Sequence, residues 1–134
     1  RSGPERFLET FYVFVELLRA VGTAPDARTA EGIGRIAAQL HTLRRMSVSV
    51  AGMLHAGKEP VVEASIVKDV GTIWEQKLPN RVRELAAFLK PEAGNRETLD
   101  RQLAFATKLA PKLTIQGGTT EILRGIIARG LGLR

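Results

Sequence analysis

The 134-residue chain contains no cysteine. Disulfide scaffolds, thiolate metal sites and thiol nucleophiles are therefore excluded. Histidine is nearly absent too. His41 and His55 are too few for a His-rich metal site, no acidic partner stands at triad or metal spacing, and both read as structural. Aromatic residues make up 5%, which leaves little for base stacking, and Trp74 is the single tryptophan, read as core or interface. No apolar run approaches the ~20 residues of a membrane-spanning helix. Walker loops, zinc spacings, repeats and low-complexity tracts are missing, as is any strand-hairpin signal.

What is present is ordinary globular composition: 44% hydrophobic and 25% charged residues. The length suits one domain, 1–134. The net charge of +6 is compatible with nucleic acid, acidic lipid or a phosphate-bearing ligand, but the basic residues are scattered among acids. Solvated helix faces explain them better than a nucleic-acid surface does. The chain opens on Arg1 rather than methionine, which predicts a piece of a longer protein.

The apolar spacing is helical nearly throughout. A first helix is predicted from about Pro4 to Val21, with Phe7, Phe11, Phe14, Leu18 and Val21 inward and Leu8 and Val15 widening the stripe. A second runs from about Thr29 to His55, keeping Ile33, Ile36, Leu40, Leu43, Met46, Val50, Met53 and Leu54 on one face. The third starts near Pro60 and carries Val62, Ile66, Val70 and Ile73. Pro79 should kink or interrupt it, because proline lacks an N–H and crowds the preceding turn. Val82, Leu85, Ala86 and Leu89 continue the pattern. After a polar loop, Lys90 to Asn95, a fourth helix covers about Arg96 to Leu109 with Leu99, Leu103 and Ala106 inward, and Pro111 ends it. A short last helix comes after Gln116-Gly117-Gly118, with Ile122, Ile126 and Ile127 as its apolar side. The expected fold is all-α: an antiparallel four-helix bundle with a short extra C-terminal helix.

One motif goes further. Gly117-Gly118-Thr119-Thr120-Glu121-Ile122-Leu123-Arg124, continuing through Ile126-Ile127-Ala128-Arg129-Gly130-Leu131-Gly132-Leu133, resembles the C-terminal signature of the acyl-CoA dehydrogenases. Glu5-Arg6, Leu40-His41-Thr42-Leu43-Arg44 and Pro60 through Lys68 are similar to actinobacterial-type members. The resemblance spans essentially the whole chain, as the C-terminal helical domain alone, with the family's N-terminal helical and middle β-domains absent. It implies an FAD-dependent oxidoreductase of fatty-acid β-oxidation type. That reaction removes a proton from the α-carbon of an acyl-CoA thioester and a hydride from the β-carbon, and passes electrons to an electron-transfer flavoprotein. A cytoplasmic homodimer or tetramer, or a heteromer with a homologous subunit, is the expected assembly. The fragment alone is expected to be inactive.

The resemblance also assigns residues. Many members carry the catalytic glutamate directly before the Gly-Thr of the terminal motif, where this chain has Gly117. Others carry it on the first helix directly before an arginine, and Glu5-Arg6 matches, so Glu5 is the candidate base. Ser2-Gly3-Pro4-Glu5 equally fits a capping box, and both readings stay open. Gly117, Gly118, Thr119 and Glu121 match positions that touch FAD. Glycines allow close backbone approach, and the helix start offers free N–H groups to a phosphate; a glycine turn with Thr119 capping the last helix is the plainer alternative. Two departures accompany the resemblance. The usual Arg-x-x-Phe-Gly is missing after the first helix, with Arg28 the nearest arginine. Leu103 to Lys112 stands where Gln-x-x-Gly-Gly-x-Gly is expected. A non-catalytic partner subunit of a heteromeric dehydrogenase is therefore a second reading, and a basic helical module binding nucleic acid a third.

Overall fold

The computed structural model describes residues 9–90 and 95–133. Among the described residues five α-helices succeed one another: α1 Phe11–Val21, α2 Ala27–His55, α3 Val61–Ala86, α4 Arg96–Leu109 and α5 Thr120–Gly130. A 3-10 turn, Ala110–Thr114, begins at the Pro111 stop and joins α4 towards α5. Among the described residues there is no strand, and no helix is long and apolar enough to cross a membrane.

The centre of the bundle is α3, against which α1, α2, α4 and α5 all pack. That position explains why its buried set is not one stripe. Val67, Trp74, Leu78, Val82, Leu85 and Ala86 are buried, but so are Ser65, Asp69, Thr72 and Glu75. The core joins Val13, Phe14 and Leu17 of α1 to Trp74, Leu78 and Val82 of α3 and to Leu99, Leu103 and Ala106 of α4. The inward set expected of α4 is thus the observed one.

Helix α2 is different. Its apolar period has the expected register, yet Thr29 and Ile36 are its only fully buried residues. It packs on α3 and makes no comparable contact with α1 or α4. Leu40, Leu43, Met46, Val50 and Met53 are half-buried, and Leu54 is exposed.

Several expectations need correction. Helix α1 starts at Phe11, not earlier through residues 9 and 10, which form a turn. Phe7 and Leu8 lie outside the described residues. Leu18 is 41% exposed, and the neighbouring Leu17 takes the core position instead. Val70 is likewise exposed at 43%. On α5 the anchor is Leu123, buried at 6%, whereas Ile122 faces out. Phe14 is buried as expected, but at Leu17/Leu18 on α1 and Leu123/Ile122 on α5 the buried residue lies one position from the expected one, because the direction from which neighbours cover a helix is set by tertiary packing.

Pro79 does not interrupt α3, which continues to Ala86 with the proline buried inside it. A proline frees the carbonyl four residues earlier, here that of Glu75. The Thr10 hydroxyl donates to that oxygen at 3.4 Å. A tertiary donor therefore replaces the missing helical one.

Candidate functional site

The terminal motif folds as a turn leading into α5. Gly117 and Gly118 adopt φ of 75° and 113°, a region that L side chains rarely enter. A Cβ on Gly118 would also meet the Leu123 side chain at 3.5 Å. Thr119 is the N-cap of α5, and its hydroxyl accepts from the Ile122 N–H at 3.4 Å. Glu121 sits in the first turn of the helix. Its own backbone N–H, then the Thr119 hydroxyl, hold its carboxyl below the usual glutamate value.

This arrangement already places a negative group at the positive end of α5. A phosphate there would have to share the site with the Glu121 carboxylate. The Thr119 hydroxyl, already engaged by the Ile122 N–H and the Glu121 carboxyl, and that carboxylate are the side-chain groups a ligand would meet here.

Helix α5 holds the turn in place. Leu123 is buried beneath the helix. Arg124 Nε lies 3.4 Å from Asp69 Oδ2 on α3. Gly130 comes so close to Val62 that any Cβ at 130 would collide with the Val62 side chain. These contacts run antiparallel along the first half of α3, and they need a small residue at 130.

Arg28 is elsewhere. It lies in the first turn of α2, which Asp26 caps by accepting from the Thr29 N–H and hydroxyl at 2.9 Å each. Those two bonds, the backbone one first, hold the Asp26 carboxyl below its ordinary value. The Arg28 guanidinium stacks over the Phe88 ring at 3.9 Å, a cation–π contact. Phe88 lies just past the C-terminal end of α3, whereas α5 docks on the first half of that helix. The structure therefore does not bring Arg28 together with the Gly117–Glu121 turn.

Glu5, the candidate base, lies outside the described residues, as does Arg6. Among the described residues the acid with a strongly raised carboxyl is Glu75. Glu75 is 3% exposed. It accepts from the Thr10 N–H at 3.5 Å and from the Thr10 hydroxyl at 3.4 Å. Burial pushes its carboxyl up to about 7, against the lowering effect of the Thr10 N–H, and the neighbouring Glu9 charge adds to the rise. Such a group has acid–base capacity near neutrality, but it is enclosed between α1 and α3 and engaged by Thr10. Sequence reasoning missed both buried acids of α3, Asp69 and Glu75. The place of Glu75 four residues before Pro79 marks only its main-chain carbonyl as needing a new donor; nothing in the sequence marks its side chain as buried. His41 and His55 are exposed on α2. Among the described residues no three His, Asp or Glu side chains gather as a metal site would require.

No curated protein sequence matches the chain. The family model described as "Acyl-CoA dehydrogenase, C-terminal domain" matches residues 19–132.

Proposed function

The chain belongs to the acyl-CoA dehydrogenase family, as its C-terminal domain, and on that premise we propose that it contributes to FAD-dependent α,β-desaturation of an acyl-CoA thioester. The single observation that carries the proposal is the Gly117–Glu121 turn. Two consecutive glycines with positive φ lie beside a capping Thr119, within a segment that the family match includes.

The group to be accommodated is FAD. The backbone of Gly117 and Gly118 would lie against it, and Thr119 and Glu121 would bind its hydroxyl-bearing portion. When bound, FAD supplies the acceptor for the hydride leaving the substrate's β-carbon. This chain's own part is to shape one wall of the site, to help exclude water, and to provide a base. Glu5 is proposed for that base. It would take the α-proton, which the thioester acidifies, and a dry wall would keep its carboxylate reactive. Electrons would leave to an electron-transfer flavoprotein. The remaining FAD and substrate contacts would come from N-terminal and middle domains, and from another copy or a homologous subunit. The cytoplasm is the proposed compartment.

Glu5→Gln in the full-length protein tests the base directly. Turnover should fall by about three orders of magnitude with flavin content unchanged, on the scale of losing a general base. Retained turnover would remove Glu5 from the mechanism.

Gly117 favours a second reading. The position carries no acid in this chain, and Glu121 disfavours a phosphate nearby. A partner subunit without its own flavin would fit both facts. The absorbance spectrum of the purified full-length protein separates the two readings. A flavin band near ~450 nm that bleaches under anaerobic acyl-CoA supports the dehydrogenase. Folded protein with no flavin supports the partner subunit.

A further inference from the structure

A trough of about 310 Å³ runs between α2 and α3. Its size falls at the lower end of small-molecule sites. Leu43, Val70, Ile73 and Trp74 form its apolar wall. Val70 is 43% exposed, so that wall opens to solvent. Lys77 and Arg81, one helical turn apart on α3, stand at its edge. No carboxylate is among the residues lining it. The Arg81 guanidinium is oriented by the side-chain oxygen of Gln39, to which it donates. Lys77 is exposed and forms no ion pair with a described carboxylate.

Trp74 is 5% exposed, so its ring closes the floor of the trough and is not free surface. An apolar wall with two cations at its edge and no carboxylate among the lining residues describes one kind of guest.

We propose that the α2–α3 trough binds a small amphipathic carboxylate. Its apolar body lies along Leu43, Val70 and Ile73, and its carboxylate meets Lys77 and Arg81. Decanoate, a ten-carbon chain with one negative charge, is the probe of that chemistry. This binding uses neither Glu5 nor the Gly117–Glu121 turn, so it stands apart from the desaturation reading.

Trp74 is the only tryptophan in the 134 residues and lines the trough, so its fluorescence reports occupancy. Decanoate titrated into the full chain should change that emission saturably. Decanol, equal in length and uncharged, should bind about tenfold more weakly, the ratio expected of one charge-assisted contact. The K77Q/R81Q double variant should bind the two compounds alike, with unchanged helical circular dichroism. Equal binding of decanoate and decanol by the unaltered chain would overturn the proposal. So would an unchanged preference in K77Q/R81Q. An emission that ignores both decanoate and acrylamide would mean that polypeptide already fills the trough, and would overturn it too. The comparison of the two ligands on the unaltered protein needs no variant to fold.

Discussion

The Thr10 hydroxyl donates to the main-chain oxygen of Glu75 at 3.4 Å, the carbonyl that Pro79 deprives of its helical N–H. Thr10 is fully buried and its N–H and hydroxyl also reach the Glu75 carboxylate. One residue ahead of α1 thus repairs a proline defect in the middle of α3 and ties the two helices together.

Thr10→Val should destabilise the domain by about 1–2 kcal/mol, since it leaves a buried carbonyl and a buried carboxyl underserved. The bonds are long, which keeps the figure at the lower end of the range. Thr10→Ser should lose much less. Adding Pro79→Ala to Thr10→Val should recover part of the loss, because the restored N–H can serve the Glu75 carbonyl. Urea unfolding of the two single variants and the double variant measures the coupling; simple additivity would show that the repair does not operate.

Stability should fall as pH rises towards 7. The folded-state value of Glu75 is raised from 4.5 to about 7. Its contribution is therefore fully present below about 4.5 and is lost as pH climbs through about 7. Glu75→Gln should flatten this dependence and gain roughly 1–2 kcal/mol at about pH 8, allowing for solvent screening. Denaturant midpoints at about pH 5 and about pH 8 give the answer. An equal slope in both proteins would place the burden on another group.

Two glycines on α2 should respond oppositely to alanine. Gly34 has open space where a Cβ would go. Gly34→Ala should stabilise by about 0.5–1 kcal/mol through helix propensity. Gly32 lies against Leu85, and an added Cβ would collide with that buried side chain. Gly32→Ala should lose at least about 1 kcal/mol despite the same propensity gain. Thermal melts should therefore separate the variants by several degrees in opposite directions.

The α5 anchor has its own test. Leu123→Ala should cost about 2–3 kcal/mol, near the low end for a buried leucine at a domain's edge. Hydrogen exchange should show α5 amides losing protection before those of α4. Asp69 is buried, one of its carboxylate oxygens has no partner among the described residues, and Arg124 is largely exposed. Arg124→Ala should therefore destabilise mainly by stranding Asp69, and Asp69→Asn should rescue much of that loss.

The glycine turn predicts flavin retention. Gly118 has φ of 113°, where a side chain costs about 1–3 kcal/mol. Gly118→Ala should weaken flavin retention in the full-length protein about tenfold or more, read from absorbance after gel filtration. Thr119→Ser, which keeps the cap, should leave it near the original level.

The helix-period spacing of apolar residues determined by itself that the domain is all-α, and it located the α2 register, the inward face of α4 and the stop at Pro111. These are local properties of a chain that repeats every 3.6 residues. The terminal motif alone was enough to suggest the family. Depth of burial was another matter. Leu17 replaced Leu18, Leu123 replaced Ile122, and the long stripe of α2 proved half-open, because periodicity gives a direction but not the partner that covers it. Tertiary structure alone decided that Asp69 and Glu75 are buried, that Arg28 stacks on Phe88, and that α3 survives Pro79. Each depends on a residue distant in sequence: Arg124 for Asp69, Phe88 for Arg28, Thr10 for Glu75. A hydrogen bond or ion pair between distant residues leaves no period in the chain, and so only the fold could supply it.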